Sequence, residues 1–308
     1  MLSRLASNPA ATAGATTEAE LVSRVVLELA AGAGRRGRVL GVHSKACNIE
    51  LAPAAGELAA PVLTLASRKT GNGPLNIVVE DFAAVRAVAS TGTASYLDGN
   101  RLSVGPLAVL LQGAIPWEPC PSWDRLRSGR GLCQRRLDSL LRLARRWAPP
   151  GTLLDLLPPS RSAHWPGAMG PSLRAVFTAI FERLEADGLP AAAVSLAGLG
   201  NGLTPAGDDF LLGAMLAVWL RSSRAAAICG PLARAAARRT SSLSASLLQQ
   251  TAAGRCGADW HAFLEGVAGD DDVTLERSAT ALLAHGHTSG GDALAGFLWA
   301  YRHERPPG

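Results

Sequence analysis

From Phe210 to Leu220 the chain is apolar at nearly every position, on all faces of any helix it forms. A helix that is hydrophobic all round belongs in a core. The run is too short, and too closely bounded by Asp209 and Arg221, to span a bilayer. Upstream, Leu21, Val22, Val25, Val26 and Leu29 recur at helical spacing, which predicts a helix over Glu18–Ala31, closed by Gly32 and Gly34. The period then shortens to two. Arg38–Val42, Cys47–Leu51, Pro61–Ala66, Leu75–Glu80 and Leu102–Gln112 read as strands. Gly71-Asn72-Gly73-Pro74 and Asp98-Gly99-Asn100 supply turn chemistry between them. After a proline-rich stretch, 115–121, the period returns to 3.6. Leu132 to Trp147 and Pro171 to Leu184 predict amphipathic helices, the second stopped by Gly188. A helix pair over Pro231–Ala253 and shorter helices at Asp259–Val267, Thr274–Ala284 and Ala293–Tyr301 follow.

These elements predict an α+β chain. A lead-in over residues 1–17 is expected to be disordered. Residues 18–116 form a helix plus a small antiparallel β-sheet or barrel, and 117–308 a mainly helical domain. Hydrophobic residues make up 48% of the 308, so the chain can bury a core in each part. Net charge is +5, carried almost wholly by scattered arginine pairs, with aromatics at 5%. A nucleic-acid binder would concentrate that charge and interleave aromatics, so nucleic acid is not the expected partner. Five cysteines without a C-x-x-C spacing argue against a disulfide framework and a structural zinc site. With no apolar signal core at the start, a cytoplasmic protein without a membrane segment is expected.

The chemistry concentrates just before the apolar run, at Gly198-Leu199-Gly200-Asn201-Gly202-Leu203-Thr204-Pro205-Ala206-Gly207-Asp208-Asp209. Thr204 fits an N-cap and Pro205 the first helical position. The glycines permit close backbone approach by a ligand, and free amides at a helix start suit an anion. A second stretch, Thr288-Ser289-Gly290-Gly291-Asp292, repeats the Thr-x-x-Gly-Asp order and again precedes an apolar helix. The pair predicts one shared site. Asp208, Asp209 and Asp292 are its candidate catalytic groups. Gly200, Gly202, Thr204, Gly207, Thr288, Ser289, Gly290 and Gly291 are its candidate substrate contacts, and Asp208 and Asp209 its candidate ligands for Mg²⁺. Two ordinary helix caps are the competing reading. Between Thr240 and Ser246 hydroxyls are dense, which suits close helix packing or a polar cavity. Lys45 and Lys69, the two lysines of the chain, sit in small-residue turns and are candidate anion contacts. His287 adjoins the second turn, and His164, His261 and His285 show no zinc spacing.

The motif Gly200-Asn201-Gly202-Leu203-Thr204-Pro205-Ala206-Gly207-Asp208-Asp209-Phe210 through Gly213, with Gly286 to Gly296 behind it, resembles the AllH-type oxamate carbamoyltransferase subunit family. Ala206 stands where that family is expected to carry serine, which removes a hydroxyl at that point. The resemblance implies a subunit of a multi-protein carbamoyltransferase in purine-derived (allantoin) nitrogen catabolism. Its ligands would be carbamoyl phosphate, oxamate or oxalurate, and its partners other carbamoyltransferase subunits. A non-catalytic scaffold subunit and an Asp-based metal-dependent hydrolase remain as alternatives.

Overall fold

The computed structural model describes residues 15–57, 59–157, 170–284 and 286–303. It divides into two compact units, one of Met1–Ala52 with Leu63–Trp117, the other of Pro53–Val62 with Glu118–Gly308.

In the first unit the order is β1 (Thr16–Ser23), α1 (Arg24–Ala31), β2 (Arg35–Val42), β3 (Ala46–Leu51), β4 (Val62–Ala66), β5 (Asn76–Val79), α2 (Phe82–Val88), β6 (Ala94–Asp98), β7 (Arg101–Val104), β8 (Leu107–Leu110) and β9 (Ile115–Trp117). Strands lie in the order β5-β4-β3-β2-β6-β7-β8-β1-β9, and β1 also pairs with β5, which closes the first eight into a barrel. The α+β class is as expected, but the sheet is mixed: β1–β8, β1–β9 and β4–β5 are parallel. Val22, Ile49, Leu51, Leu65, Ile77, Leu97, Leu102 and Val109 are buried in one apolar cluster, as suits a barrel of this size filled by its own side chains.

Three expectations change here. Glu18–Ser23, and the Thr16 and Thr17 assigned to the lead-in, are strand; the helix begins only at Arg24. The valines and leucines of that segment satisfy a helical spacing, but β1 closes the barrel by pairing with three strands, and ladder bonding overrides local periodicity. Ser23 marks the changeover, its hydroxyl accepting from Val25 N at 3.3 Å and donating to Pro74 O at 2.6 Å. The strand expected over Leu102–Gln112 is two strands, split by a turn at Gly105-Pro106 where Gly105 has φ 53°. Residues 1–14 of the predicted lead-in lie outside the described residues, as do His164 and His285.

The second unit is helical: α3 (Trp123–Arg127), α4 (Gln134–Trp147), a 3-10 turn at Leu153–Leu156, α5 (Pro171–Asp187), α6 (Leu189–Leu196), α7 (Ala206–Arg221), α8 (Ala225–Ala237), α9 (Ser242–Ala252), α10 (Ala258–Ala268), α11 (Asp272–Leu283) and α12 (Ser289–His303). α8 starts six residues ahead of the predicted Pro231, which sits inside the helix. α7 and α12 form the centre, with Phe210, Leu216, Leu294 and Phe297 fully buried. They cross backbone against backbone. A Cβ on Gly213 would collide with Ala293 O, and one on Gly296 with Phe210 O. The crossing is therefore reciprocal, position 213 matching 296 and 210 matching 293. In that register Asp209, rather than Asp208, is the counterpart of Asp292. The Thr-x-x-Gly-Asp echo in the sequence is one residue out of step with the packing.

Candidate functional site

The chain enters α7 through a loop that only glycine permits at two points. Gly200 and Gly202 have φ 125° and 104°, and a Cβ on Gly200 would lie 2.6 Å from Ala206 N. Asn201, Gly202 and Leu203 are exposed, with Leu203 at 55%, while Pro205 to Phe210 are buried. The helix starts one residue later than predicted. Pro205 is the cap residue and Ala206 the first helical one. Thr204 does not cap. Its hydroxyl meets Asp209 Oδ2 at 3.1 Å and the Ser289 hydroxyl at 2.9 Å. Ser289 is the first residue of α12, so this pair of bonds joins the two glycine-rich helix starts.

All three acids are buried: Asp208 at 2% exposure, Asp209 at 6% and Asp292 at 1%. Asp208 accepts from Gly198 N at 2.9 Å through Oδ1 and from the Thr240 hydroxyl through Oδ2. Burial raises its pKa, against the pull of Thr240, the Gly198 amide and Ser244. Asp209 is pushed well above the usual carboxyl range, first by burial. The Ser289 and Thr204 hydroxyls oppose this, and the neighbouring Asp292 and Asp208 add to it. Asp292 accepts from Leu153 N at 2.7 Å through Oδ1. Burial pushes its pKa up to about 7 against that amide and the Thr288 hydroxyl. Thr288 acts without bond geometry, because Asp292 Oδ2 is buried with no hydrogen-bond partner among the described residues. Ser244 Oγ, beside Asp208, is likewise buried and unpartnered among them. No ion pair reaches any of the three acids among the described residues. Burial without an ion pair disfavours the charged form of a carboxyl.

The amides expected to hold an anion at α7 are taken by the protein. Gly207 N donates to Leu199 O at 2.9 Å, and Asp208 N and Asp209 N donate to Pro205 O at 2.9 and 3.1 Å. Several glycines likewise admit protein rather than ligand. Cβ atoms on Gly207 and Gly290 would strike Leu196 O and Leu282 O, and one on Gly291 would lie 2.6 Å from Thr152 Cγ2. Ser289, Gly290, Gly291 and Asp292 are the first turn of α12, not a loop before it. For Mg²⁺, no group of three His, Cys, Asp or Glu side chains is placed to hold a metal among the described residues. Asp208, named as a ligand with Asp209, has both oxygens engaged by protein donors. The fold assigns the acids partners that the motifs alone do not name. Gly198 and Thr240 complete Asp208, and the Leu153 amide completes Asp292. Thr240 belongs to the hydroxyl-rich stretch visible in sequence; nothing local to Leu153 signals its part.

Lys45 and Lys69 lie in the first unit. Their loops are joined, since Ser67 N and the Thr70 hydroxyl both donate to Lys45 O, at 2.9 and 2.8 Å, and both lysines are exposed. His287 is exposed and His261 Nε2 lies 3.1 Å from Pro119 O.

The segment that holds the three acids, both glycine-rich starts and the Thr204–Ser289 bridge is also the one that a family model recognises. Residues 196–301 match the model described as oxamate carbamoyltransferase subunit AllH. This match supports the AllH-type resemblance carried by the two glycine motifs. The AllH-matched segment runs from the last residue of α6 to Tyr301 in α12. The AllH description points to a subunit of oxamate carbamoyltransferase, and hence to other subunits of a complex. No curated protein and no solved structure matches the chain. No helix among the described residues is long and apolar enough to cross a membrane.

Proposed function

We propose that the chain is a subunit of an oxamate carbamoyltransferase-type complex, and that Asp209, held by the Thr204 hydroxyl, and the neighbouring Asp292 receive the amide-bearing part of its ligand. The observation that carries this reading is that two buried neighbouring acids, Asp209 and Asp292, stand at the two helix starts joined by the Thr204–Ser289 hydrogen bond, with no ion pair to either among the described residues. A purely structural pair of helix caps has no use for two adjacent buried acids with raised pKa values; perturbed carboxyls in one cluster are typical of sites. An acidic cluster with no ion pair among the described residues suits a group rich in N–H donors, such as the carbamoyl amide of oxalurate or carbamoyl phosphate. It does not suit the carboxylate or phosphate end.

In the reaction implied, a phosphate oxygen attacks the carbamoyl carbon of oxalurate. The carbon–nitrogen bond breaks, and oxamate leaves after its nitrogen gains a proton. An acid whose pKa lies near 7 is suited to supply that proton and to recover one from the phosphate. Asp292 is the group we assign to this step, with Asp209 orienting the amide.

The test is the complex assembled with the partner subunits, assayed for phosphate-dependent release of oxamate from oxalurate. With this chain omitted, activity is expected to vanish. Asp292→Asn is expected to lower kcat by about two orders of magnitude, the usual worth of a general acid. An Asp292→Asn complex with unaltered kcat overturns the assignment.

One observation favours a second reading, a scaffold subunit: the α7 amides and the oxygens of Asp208 are already satisfied within the chain. That reading predicts that Asp209→Asn and Asp292→Asn change stability and leave turnover alone.

A further inference from the structure

The five cysteines give no spacing that announces a bond, and all are free thiols. Folding nevertheless brings two of them together inside the second unit. Cys256 N donates to Pro119 O at 2.9 Å, the carbonyl of the peptide that Cys120 completes, and the Cys120 thiol is near enough to act on that of Cys256. In an antiparallel pair, residues that share such a bond have Cα atoms about 5.5 Å apart; here they are Cys256 and Pro119, with Cys120 the next residue along. A disulfide needs about 4.4–6.8 Å. Two further bonds fix the segments on each other: Trp123 Nε1 donates to Gly254 O at 2.9 Å, and His261 Nε2 lies 3.1 Å from Pro119 O. Trp123 is in turn stacked on Trp219, with ring centroids 5.5 Å apart. Cys120 is exposed and Cys256 is 3% exposed, so the pair has an open member and a sheltered one.

We propose that Cys120 and Cys256 form a cross-linking thiol pair, with Cys120 the entry point for a low-molecular-weight disulfide such as glutathione disulfide. The Cys120 thiolate attacks one sulfur of that disulfide and expels one glutathione thiolate. The Cys256 thiol then loses its proton to solvent and attacks the Cys120 sulfur, expelling the second. Two protein thiols are oxidised and one glutathione disulfide is reduced to two thiols. The link ties the Pro119–Trp123 segment to the chain entering α10. Burial raises the Cys256 thiol pKa, and burial with Glu118 raises that of Cys120 against Arg255. The second attack is therefore the slow one, and cross-linking accelerates as pH rises above neutral.

The full chain, treated with glutathione disulfide well below its melting temperature, is read by intact mass and by non-reducing peptide mapping. The expected product yields one linked Cys120–Cys256 peptide, two hydrogens lighter than its separate halves, alongside a glutathione adduct on the exposed Cys133. Cys256→Ser is expected to stop at a glutathione adduct on Cys120. A wild-type chain that stops at that adduct overturns the proposal, as does a link to any other cysteine. So does a Cys120–Cys256 link that forms only together with modification of the buried Cys47 or Cys229, since that marks pairing through unfolding.

Discussion

Replacing Asp292 with asparagine removes one proton-binding site and almost nothing else. Asparagine keeps an oxygen for Leu153 N, and its amide nitrogen takes the place of the unpartnered Oδ2. The folded pKa of about 7 lies about three units above the ordinary 3.8. The folded protein therefore binds the proton more tightly than the unfolded chain does. The resulting stability is present in full below about pH 4 and is lost as pH rises toward 7. At 1.36 kcal/mol per unit, the loss is on the order of 4 kcal/mol. Asp209 acts in the same direction, its pKa raised first by burial, with the neighbouring Asp292 adding to it. Urea unfolding of wild type and Asp292→Asn at pH 4.5 and pH 8 measures the difference. Between those values the wild type should lose about 3–4 kcal/mol relative to the variant. Curves that stay parallel would refute the claim that Asp292 is a buried, proton-holding acid.

Further outcomes follow from single contacts. Gly296→Ala places a methyl on Phe210 O at the α7–α12 crossing and should cost at least about 1–3 kcal/mol in thermal unfolding; a change within 0.5 kcal/mol contradicts the crossing. Thr204→Val removes the bonds to Asp209 and Ser289 and should cost about 1–3 kcal/mol, with a further rise in the pKa of Asp209 seen in the pH dependence of stability. Cys133, exposed ahead of α4, has its thiol pKa lowered by the Arg136 and Arg135 amides and the charges of Arg135 and Arg130. It should be the fastest of the five cysteines to react with iodoacetamide by peptide mapping, and a faster Cys120 would contradict that field.

Where hydrophobic period and turn chemistry agree, the sequence is a sound guide. The Asp98–Asn100 turn, the stop at Gly188 and the burial of Phe210–Leu220 all appear as the residues imply. It misleads where long-range pairing decides. β1 carries a helical spacing but closes a barrel, and no local feature reports the partners waiting for it. The site shows the same division. Its acids and hydroxyls are visible as motifs, because glycine, threonine and aspartate cluster there. Which residues partner them is not: Gly198 and Thr240 lie in stretches visible in sequence, but their bonds to Asp208, like that of the Leu153 amide to Asp292, arise only through the fold. Glycine is the most ambiguous signal: at positions 207, 213, 290 and 296 it serves backbone-to-backbone packing, which from sequence alone looks identical to room for a ligand.

Calorimetric titration of the purified chain with oxamate, comparing wild type with Asp209→Asn and Thr204→Val, bears most directly on the paired helix starts as a binding site. Saturable heat from the wild type, with affinity at least tenfold weaker in both variants while each still melts cooperatively, is the predicted result. Equal affinity in all three proteins would mean that the ligand binds elsewhere and that the buried acids serve the fold alone.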